Sequence, residues 1–246
     1  MAGKRVKTTK YEIIQVATEF FLSVGYSATS PKMIASELEI STGNITYYFP
    51  TKEHLLLEIV EMLCHFQWEL IKKQTSNDIG TISSICLEMM TVVSACAENE
   101  IARDFFTAVF QSEMCRNYLR KYHEERAKKI FAKECAAWTD EQFTEAELLV
   151  MGIQYTSVAA TDANVSVERK TLSALNQILS IYNIDEITRK AEIEKVISLE
   201  HRGVGKPVLQ KFIEYVEDTN MQTLENMLRG NRRNKITGTS GLEVSI

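Results

Sequence analysis

The sequence predicts an all-α protein, and three observations support this fold class. Its 246 residues include only ten glycines and three prolines, which is few turn residues for a β-sandwich or barrel. Apolar residues recur at spacings of three and four through most of the chain, as on one face of a helix. A content of 45% hydrophobic and 25% charged residues is ordinary for a globular protein. We therefore expect long helices joined by short connections.

The chain begins with the pattern of one amphipathic helix and one short helix. Apolar residues line one face of Tyr11–Val24, and Gly25 follows where a helix can end in the left-handed conformation. Ser30 then precedes Pro31, which is the arrangement of an N-cap and a first helical residue. The second helix therefore starts at Pro31.

A third short helix is predicted in the stretch STGNITYYFPTK, Ser41 to Lys52. Ser41 or Thr42 can cap its start, and Pro50 removes the backbone donor that would continue it. Only a tight turn of about three residues separates it from the second helix. The three helices predict an N-terminal three-helix helix-turn-helix head, followed by a long helix from Thr51 to about residue 74.

The third helix has an apolar face and an unusual outer face. At 100° per residue, Ile45 and Phe49 lie about 40° apart and define the buried direction. Gly43, Asn44 and Tyr47 point the other way. The flanks of the helix are occupied by Thr46 and Tyr48.

This outer face suits a DNA groove better than it suits water. An asparagine amide such as that of Asn44 can pair with an adenine edge, and Tyr47 can contact a thymine methyl group or a phosphate. Gly43 leaves the first turn bare, so that backbone N–H groups and the Thr42 hydroxyl can reach a phosphate. Two alternatives stay open: Gly43 is only a permissive helix start, or Tyr48 packs on the long helix instead of touching DNA.

Residues outside the third helix complete the predicted DNA-binding set. Lys52 opens the long helix, and Thr29 and Ser30 open the second helix with Lys32 nearby, so each group can meet a phosphate. The basic segment from Lys4 to Lys10 can lie along the DNA backbone or enter the minor groove. The candidate DNA-binding residues are Thr29, Ser30, Lys32, Thr42, Gly43, Asn44, Tyr47, Tyr48 and Lys52.

Charge is distributed unevenly along the chain. The net charge is −5, but residues 1–52 contain six basic residues against four glutamates and carry +2. The remainder carries −7. A basic head on an acidic body indicates that only one end of the protein meets a polyanion.

The first 60 or so residues resemble the TetR family of transcriptional regulators. The matching residues are Ile14, Ala17, Phe21, Gly25, Tyr26, Thr29, Ile34, Ala35, Ile40, Ser41, Gly43, Tyr48, Phe49, Lys52, Glu53, Leu55 and Leu56. The resemblance implies an α-helical homodimer in which each subunit joins a DNA-binding head to a helical body that usually binds a small effector. Glu39 stands where the family often has glycine, so its turn must hold a side chain under strain, and Thr46 stands where the family often has tyrosine.

The rest of the chain is predicted to form a C-terminal helical regulatory body. Helical patterns occur at 79–97, 100–111, 112–137, 141–163, 167–183, 185–200 and 207–229. The predicted domains are therefore a DNA-binding head over 7–67, a ligand-binding and dimerisation body over 68–229, and a disordered tail over 230–246.

The resemblance also implies a dimer surface built from two late helices. We assign it to 141–163, which has small residues at Gly152, Ala159 and Ala160, and to 167–183, which carries Leu172, Leu175, Ile178, Leu179 and Tyr182. The alternative is that both helices are internal and that 207–229 forms the interface. An effector pocket would draw on Trp68, Met89, Met90, Phe105, Phe106, Phe110, Met114, Tyr118 and Tyr155, although such residues are more often plain core.

Other classes of protein find little support in the sequence. The five cysteines lie singly in helical patterns, which is typical of buried reduced thiols, and the four histidines lack metal-binding spacing. We expect no enzyme activity, no metal and no cofactor. The chain has neither a signal-peptide pattern nor an uninterrupted apolar run of membrane-spanning length, so we expect a cytoplasmic protein.

Together these features predict a dimeric regulator, with a repressor as the expected type. Its partners would be double-stranded DNA with a pseudo-palindromic operator, a second copy of the chain, and an unknown small-molecule effector that lowers operator affinity. The alternative is a DNA-bound regulator that responds to a protein partner and has no small-molecule pocket.

Overall fold

The computed structural model describes residues 2–75, 80–161, 164–198 and 208–222. These residues form helices and connections without a β-strand, which confirms the all-α prediction. The head consists of α1 (Ala2–Phe20), α2 (Pro31–Glu37), α3 (Thr42–Tyr48) and the start of α4 (Lys52–Thr75). The body adds α5 (Thr81–Glu98), α6 (Glu100–Gln111), α7 (Glu113–Ile130), α8 (Asp140–Ala159), α9 (Val167–Ile181), α10 (Glu186–Ile197) and a helical segment over 208–222.

The first helix is longer than its apolar pattern. It begins at Ala2 instead of Tyr11, because no proline interrupts the preceding residues, and it ends in a π-helical turn over Phe21–Gly25. Gly25 has a φ of +107°, as its predicted role in ending the helix requires. The side chains of the basic segment 4–9 lie outside the described residues, so its contacts with DNA remain a prediction.

Serine caps start both helices of the helix-turn-helix pair. Ser30 accepts a hydrogen bond from the backbone N–H of Met33 at 3.3 Å, and Ser41 accepts one from the N–H of Asn44 at 3.3 Å. Between them Glu39 adopts a φ of +52°, which confirms that a side chain occupies a left-handed turn position.

The head is held by a core to which all four of its helices contribute. Ile45 and Phe49 are buried, as the helical angles predict, and the Phe49 N–H closes α3 on the carbonyl of Ile45 at 2.8 Å. The other buried residues of this core are Ile13, Ile14, Ala17, Phe21, Ile34, Ala35, Leu55, Leu56 and Ile59. The buried face of α3 therefore fixes which of its side chains point outward.

Helix α5 lies at the centre of the body. It packs against α4, α6, α8, α9 and α10. By length and composition it is the single helix of the described chain that could cross a membrane, and 56% of it is buried inside the protein. Core helices of globular proteins share this apolar composition.

The body helices otherwise follow the sequence patterns closely, except at the end of α7. The predicted helix 112–137 ends at Ile130. The chain turns there because Phe131 stacks on Tyr182 with ring centroids 4.1 Å apart, and the Cys135 thiol donates to the carbonyl of Tyr182 at 3.5 Å. The predicted break over 201–207 and the tail over 230–246 lie outside the described residues.

The predicted dimer residues fall into two groups. Leu175, Ile178, Leu179 and Tyr182 of the second nominated helix are buried inside the protomer, so their assignment to the dimer surface is corrected. On α8, by contrast, Leu148 and Leu149 are 59% and 61% exposed. In the alternative segment 208–222, Phe212 and Val216 are buried, and the Phe212 ring lies 5.5 Å from that of Phe66 on α4.

All five cysteines are buried with free thiols, as their isolated positions indicate. Burial raises the pKa of Cys86 to about 12 and that of Cys96 to about 12. Neutral thiols of this kind act as small apolar core groups.

Candidate nucleic-acid interface and body cavity

The outward face of α3 is a continuous exposed surface. It consists of Thr42, Gly43, Asn44, Thr46 and Tyr47, which we call the α3 face. Tyr47 is the most prominent of these residues and is 74% exposed. An exposed aromatic ring contributes little to folding, so the α3 face has the character of a recognition surface.

Glycine at position 43 is not required by the packing of the free protein. A Cβ added there would meet only the Ser41 Oγ at 3.5 Å, which is an ordinary van der Waals distance. Because glycine has no side chain, the backbone of the first turn of α3 stays accessible to a binding partner. The structure therefore favours a surface role for Gly43 over a role in the fold.

Hydrogen bonds within α3 orient two of its outward side chains. The Ser41 hydroxyl lies 3.2 Å from the Asn44 Oδ1 and donates to it, which holds the amide beside the start of the helix. The Thr46 hydroxyl donates to the carbonyl of Gly43 at 3.2 Å. The Thr46 hydroxyl is therefore bonded within the helix. Position 46 is the one at which the family that the sequence resembles often has tyrosine.

Tyr48 is partly buried and packs against the head core. Its ring lies edge-on to Tyr47 at 5.0 Å and tilted toward Phe49 at 6.4 Å. This favours the packing alternative for Tyr48, with its ring supporting that of Tyr47.

Two residues predicted to contact DNA are engaged inside the protein. Thr29 is 2% exposed, and its hydroxyl donates to the carbonyl of Gly25 at 2.7 Å. The ammonium group of Lys52 donates to the carbonyl of Tyr26 and lies 3.9 Å from the centre of the Tyr26 ring. Both residues therefore also stabilise the turn before α2, and their contacts with DNA stay predictions. Lys32 is exposed beside the Ser30 cap.

Head and body also meet away from α4, at a contact that we call the junction. Asp104 on α6 accepts hydrogen bonds from the backbone N–H of Ser27 at 2.7 Å and from the Ser27 hydroxyl. A Cβ at Gly25 would lie 3.1 Å from the Asp104 Oδ2, so a side chain at Gly25 would both strain the backbone and crowd this carboxylate. The junction ties the turn before α2 directly to the body.

The body contains a partly open cavity of about 130 Å³, which is lined by residues from each of the helices α4 to α9. Most of its lining is apolar and includes Met89, Phe106 and Phe110 from the predicted pocket residues. The other residues named for a pocket, Trp68, Met90, Phe105, Met114, Tyr118 and Tyr155, do not line it. The sequence prediction missed the polar lining, which consists of Gln67, Glu88, His123, Arg126, Glu147, Gln154 and Tyr182.

The polar groups of the cavity are only partly paired. Arg126 donates to both carboxylate oxygens of Glu88, at 3.4 and 2.8 Å, and the Tyr182 hydroxyl donates to the Glu147 Oε1. The Glu147 Oε2 and the Gln154 Oε1 are buried without a hydrogen-bond partner. His123 Nδ1 lies 4.0 Å from the Glu147 Oε2, which is too far for a hydrogen bond.

Burial changes the protonation of two of these groups. It raises the pKa of Glu147 from its ordinary 4.5 to about 7, although the hydrogen bond from Tyr182 favours the carboxylate. Burial and the charge of Arg126 lower the pKa of His123 to about 4, so this imidazole is neutral near pH 7. In the parts of the chain that the structure describes, no cluster of His, Cys, Asp and Glu is arranged for a metal ion.

The fold and the α3 face define a helix-turn-helix head of the kind found in transcription regulators. Residues 13–59 match the sequence profile described as bacterial regulatory proteins, tetR family. This match covers the head, which is therefore similar to the DNA-binding region of tetR-family regulatory proteins.

Three curated relatives carry similar sequences. The HTH-type transcriptional regulator QacR of Staphylococcus aureus is 42% identical over 74 residues, which are 28% of this chain and 39% of that protein. The HTH-type transcriptional regulator HbdR of Aromatoleum sp. is 27% identical over 140 residues, 55% of this chain and 60% of that protein. An uncharacterized HTH-type transcriptional regulator, YuxN of Bacillus subtilis, is 46% identical over 48 residues, 20% of this chain and 16% of that protein.

The chain thus spans between 16% and 60% of the length of these relatives, which is less than two thirds in each case. No solved structure matches the chain significantly.

Proposed function

We propose that the chain is a sequence-specific DNA-binding transcriptional regulator whose α3 enters the major groove. The observation that supports this most is that Ile45 of α3 and its C-cap Phe49 are buried in the core, while the α3 face is exposed. A major groove is wide enough for an α-helix, and its base edges present distinct patterns of donors and acceptors. The regulatory names of the three relatives agree with this assignment and with the absence of an enzymatic role.

Within the α3 face, each side chain suits a different contact. The Asn44 amide can donate and accept at an adenine edge, and the Tyr47 ring can pack on a thymine methyl group. Gly43 allows the backbone to approach DNA closely, with the Thr42 hydroxyl beside it, because no side chain stands between them. These are the residues that we propose read sequence.

Contacts outside α3 position the head on the phosphates. Lys32 is exposed at the start of α2, and the Ser30 hydroxyl lies beside it. Tyr48 supports the ring of Tyr47 by packing, whereas Thr29 and Lys52 hold the turn before α2. Sequence readout and positioning thus fall to different residues.

We further propose that the protein acts as a homodimer on a pseudo-palindromic operator. Leu148, Leu149, Gly152 and Tyr155 form an exposed and largely apolar strip on α8, and a Cβ at Gly152 would meet nothing within 4 Å. Small and apolar residues on one helix face allow a second copy to approach closely. Two heads about 34 Å apart would then reach successive major grooves on one side of the DNA.

We propose that a small molecule in the body cavity releases the regulator from its operator, which makes it a repressor. The cavity lies beside α4 at Val60, Leu63 and Cys64, and α4 continues directly from the head. The junction and the Asn220 amide, which donates to the carbonyl of Tyr11 at 3.1 Å, link other parts of the body to the head. A ligand that binds one arrangement of these links better than another shifts the population toward it.

A regulator of this kind would work in the cytoplasm, where bacterial DNA is located. The competing function is a DNA-bound regulator controlled by a protein partner. The body cavity favours a small molecule over a protein, because a concave and mostly apolar lining between helices is typical of a small-ligand site.

The proposed function is tested by selecting bound sequences from random double-stranded DNA with the full chain. We expect a pseudo-palindrome whose half-sites are centred about one helical turn apart. Recovery of DNA without a common sequence would contradict the assignment. Adding small-molecule pools to the complex formed with the selected DNA then tests whether release follows ligand binding.

A further inference from the structure

Two buried acceptors of the body cavity identify the chemistry of its ligand. The Glu147 Oε2 and the Gln154 Oε1 are the side-chain atoms that the described chain leaves buried without a hydrogen-bond partner. Both residues line the cavity and belong to α8, seven positions apart, so they lie on the same face two turns apart. Leaving a buried acceptor unpaired costs about 1–3 kcal/mol, so a ligand that donates to these atoms gains affinity.

The charges around the cavity favour a cationic ligand over an anionic one. Arg126 is the permanently charged base in the described lining, and both oxygens of Glu88 already hold it. Glu147 has no cation of its own at hydrogen-bond distance, and His123 is 4.0 Å away. An anionic ligand would therefore find no free cation, whereas a cationic ligand would find an unpaired carboxylate.

The remaining lining favours a ligand with a small apolar group. Phe106, Phe110 and Phe131 are among its aromatic residues. A volume of about 130 Å³ is close to that of an engineered protein cavity of about 150 Å³ that binds benzene. One ring with a short amine side chain matches this space, and the aromatic faces also attract a cation.

We infer that the body cavity binds a small aryl-alkyl amine as its ammonium ion, with Glu147 and Gln154 accepting its N–H groups. This inference rests on the proposed function only in assuming that the cavity is the effector site. It assigns a charge and a hydrogen-bonding pattern to the effector. It also makes Glu147 the residue that determines ligand specificity.

Several charged and titratable groups surround Glu147. Helix α7 contributes Arg120, His123, Glu124 and Arg126, α5 contributes Glu88, and the end of α9 contributes Tyr182. Because the pKa of Glu147 is raised to about 7 and that of His123 is lowered to about 4, Glu147 is the group expected to titrate between pH 6 and 8. An alkylammonium ion stays charged over this range.

The test is calorimetric titration of the full chain, without DNA, with benzylamine, benzyl alcohol and benzoate as matched probes. At pH 8 we expect benzylamine to bind at least about tenfold more tightly than benzyl alcohol, and benzoate to bind least. From pH 6 to pH 8 the affinity for benzylamine should rise about tenfold as Glu147 loses its proton, while that for benzyl alcohol stays constant.

Substitutions test which residues cause the preference for benzylamine over benzyl alcohol. Glu147→Gln keeps the size of the side chain and an acceptor for Tyr182, so it should abolish both the preference for the amine and its pH dependence. Gln154→Met, which removes the whole amide and with it the second acceptor, should weaken benzylamine binding and leave the pH dependence. The control Glu145→Gln changes an exposed carboxylate on the same helix and should behave as the wild type.

Equal binding of benzylamine and benzyl alcohol, no binding of benzylamine, or a preference that survives in Glu147→Gln would each overturn the inference. Equal binding is also the result expected if water satisfies the two acceptors. The proposed function fails separately, in the DNA selection. If the protein binds benzylamine through Glu147 but selects no DNA sequence, the ligand inference is supported and the regulatory function is contradicted.

Discussion

Tyr47 places a large aromatic ring in solvent, whereas the two aromatic residues that follow it, Tyr48 and Phe49, are packed. Its ring touches Tyr48, which in turn packs toward Phe49 and the head core. The ring is therefore held in position although 74% of the residue is exposed. An ordered and exposed aromatic side chain is well suited to a contact with DNA bases, because little conformational freedom is lost on binding.

Replacing Tyr47 by alanine should weaken binding to the selected operator by about 1–3 kcal/mol. The melting temperature should change little, since the residue contributes little to the core. Tyr48→Ala is the matched control and should lower the melting temperature through lost packing. Operator affinities from titrations of labelled DNA, with thermal unfolding in parallel, check both outcomes, and an unchanged affinity for Tyr47→Ala would exclude its ring from the interface.

Glu147 should make the stability of the protein depend on pH. Its folded pKa of about 7 lies above its ordinary value of 4.5, so the folded state holds the proton more tightly than the unfolded state. The stabilising effect is complete below pH 4.5 and is lost as the pH rises through 7. Relative to wild type, Glu147→Gln should gain about 1–3 kcal/mol of unfolding free energy between pH 5 and pH 8.

Urea denaturation of both proteins at the two pH values measures this difference. Glu145→Gln should show no such gain, because that carboxylate is exposed. A Glu147→Gln variant that tracks the wild type at both pH values would mean that the buried carboxyl does not take up a proton.

At the residue scale, local periodicity was sufficient to predict the inner and outer faces of α3. It could not reveal the partners of Thr29 and Lys52, because their acceptors, the carbonyls of Gly25 and Tyr26, become close only after the head has folded. Glu147 did leave a signal, since it shares a helical stripe with apolar Phe143 and Val150. An acidic residue on such a stripe indicates a buried polar group.

The turn between α2 and α3 is the element whose departure from the family pattern has a measurable energetic cost. Glu39 adopts a φ of +52°, and the following N–H of Ile40 donates to the carbonyl of Ala35 at 3.0 Å. A left-handed conformation costs a non-glycine residue about 1–2 kcal/mol. The hydrogen bonds of the turn hold Glu39 in this conformation.

Glu39→Gly should therefore raise the free energy of unfolding by about 1 kcal/mol, because glycine relieves the strain but loses more backbone entropy on folding. Denaturation in urea measures the change. Glu39→Ala keeps a Cβ in the strained position and should give no gain. A destabilised Glu39→Gly protein would show that the glutamate side chain stabilises the turn.

Among the elements, helix starts and ends with local signals could be predicted. Ser30, Pro31, Ser41 and Pro50 set the limits of α2 and α3 by their own chemistry. The end of α7 could not be predicted, because the turn follows from the long-range stacking of Phe131 on Tyr182. The start of α1 at Ala2 was not predicted either, because the apolar pattern begins only at Tyr11.

On the scale of the whole molecule, the exposed apolar strip of α8 is the surface that the proposed dimer needs. Leu149→Glu places a charge in this strip and should convert the dimer to a monomer, because burying an unpaired carboxylate at an interface is costly. Sedimentation velocity measures the change in mass. Ile187→Glu is the matched control, since Ile187 is 82% exposed on α10, outside the strip, and the dimer should persist.

A Leu149→Glu protein that sediments as the wild type would remove α8 from the dimer interface. The sequence nominated α8 through its small residues, and it also nominated side chains of α9 that are buried within the protomer. Periodicity shows that a helix has an apolar face. It does not show whether that face packs within one chain or between two copies.

In the proposed function, the α3 face reads DNA bases from two symmetric heads. The most direct measurement is selection from random double-stranded DNA with wild type and Asn44→Ala in parallel. We predict that the wild type selects a pseudo-palindrome, and that Asn44→Ala loses the preference at one base pair in each half-site, at symmetric positions, while the other positions keep theirs. An identical selected sequence for both proteins would contradict base reading by the α3 face.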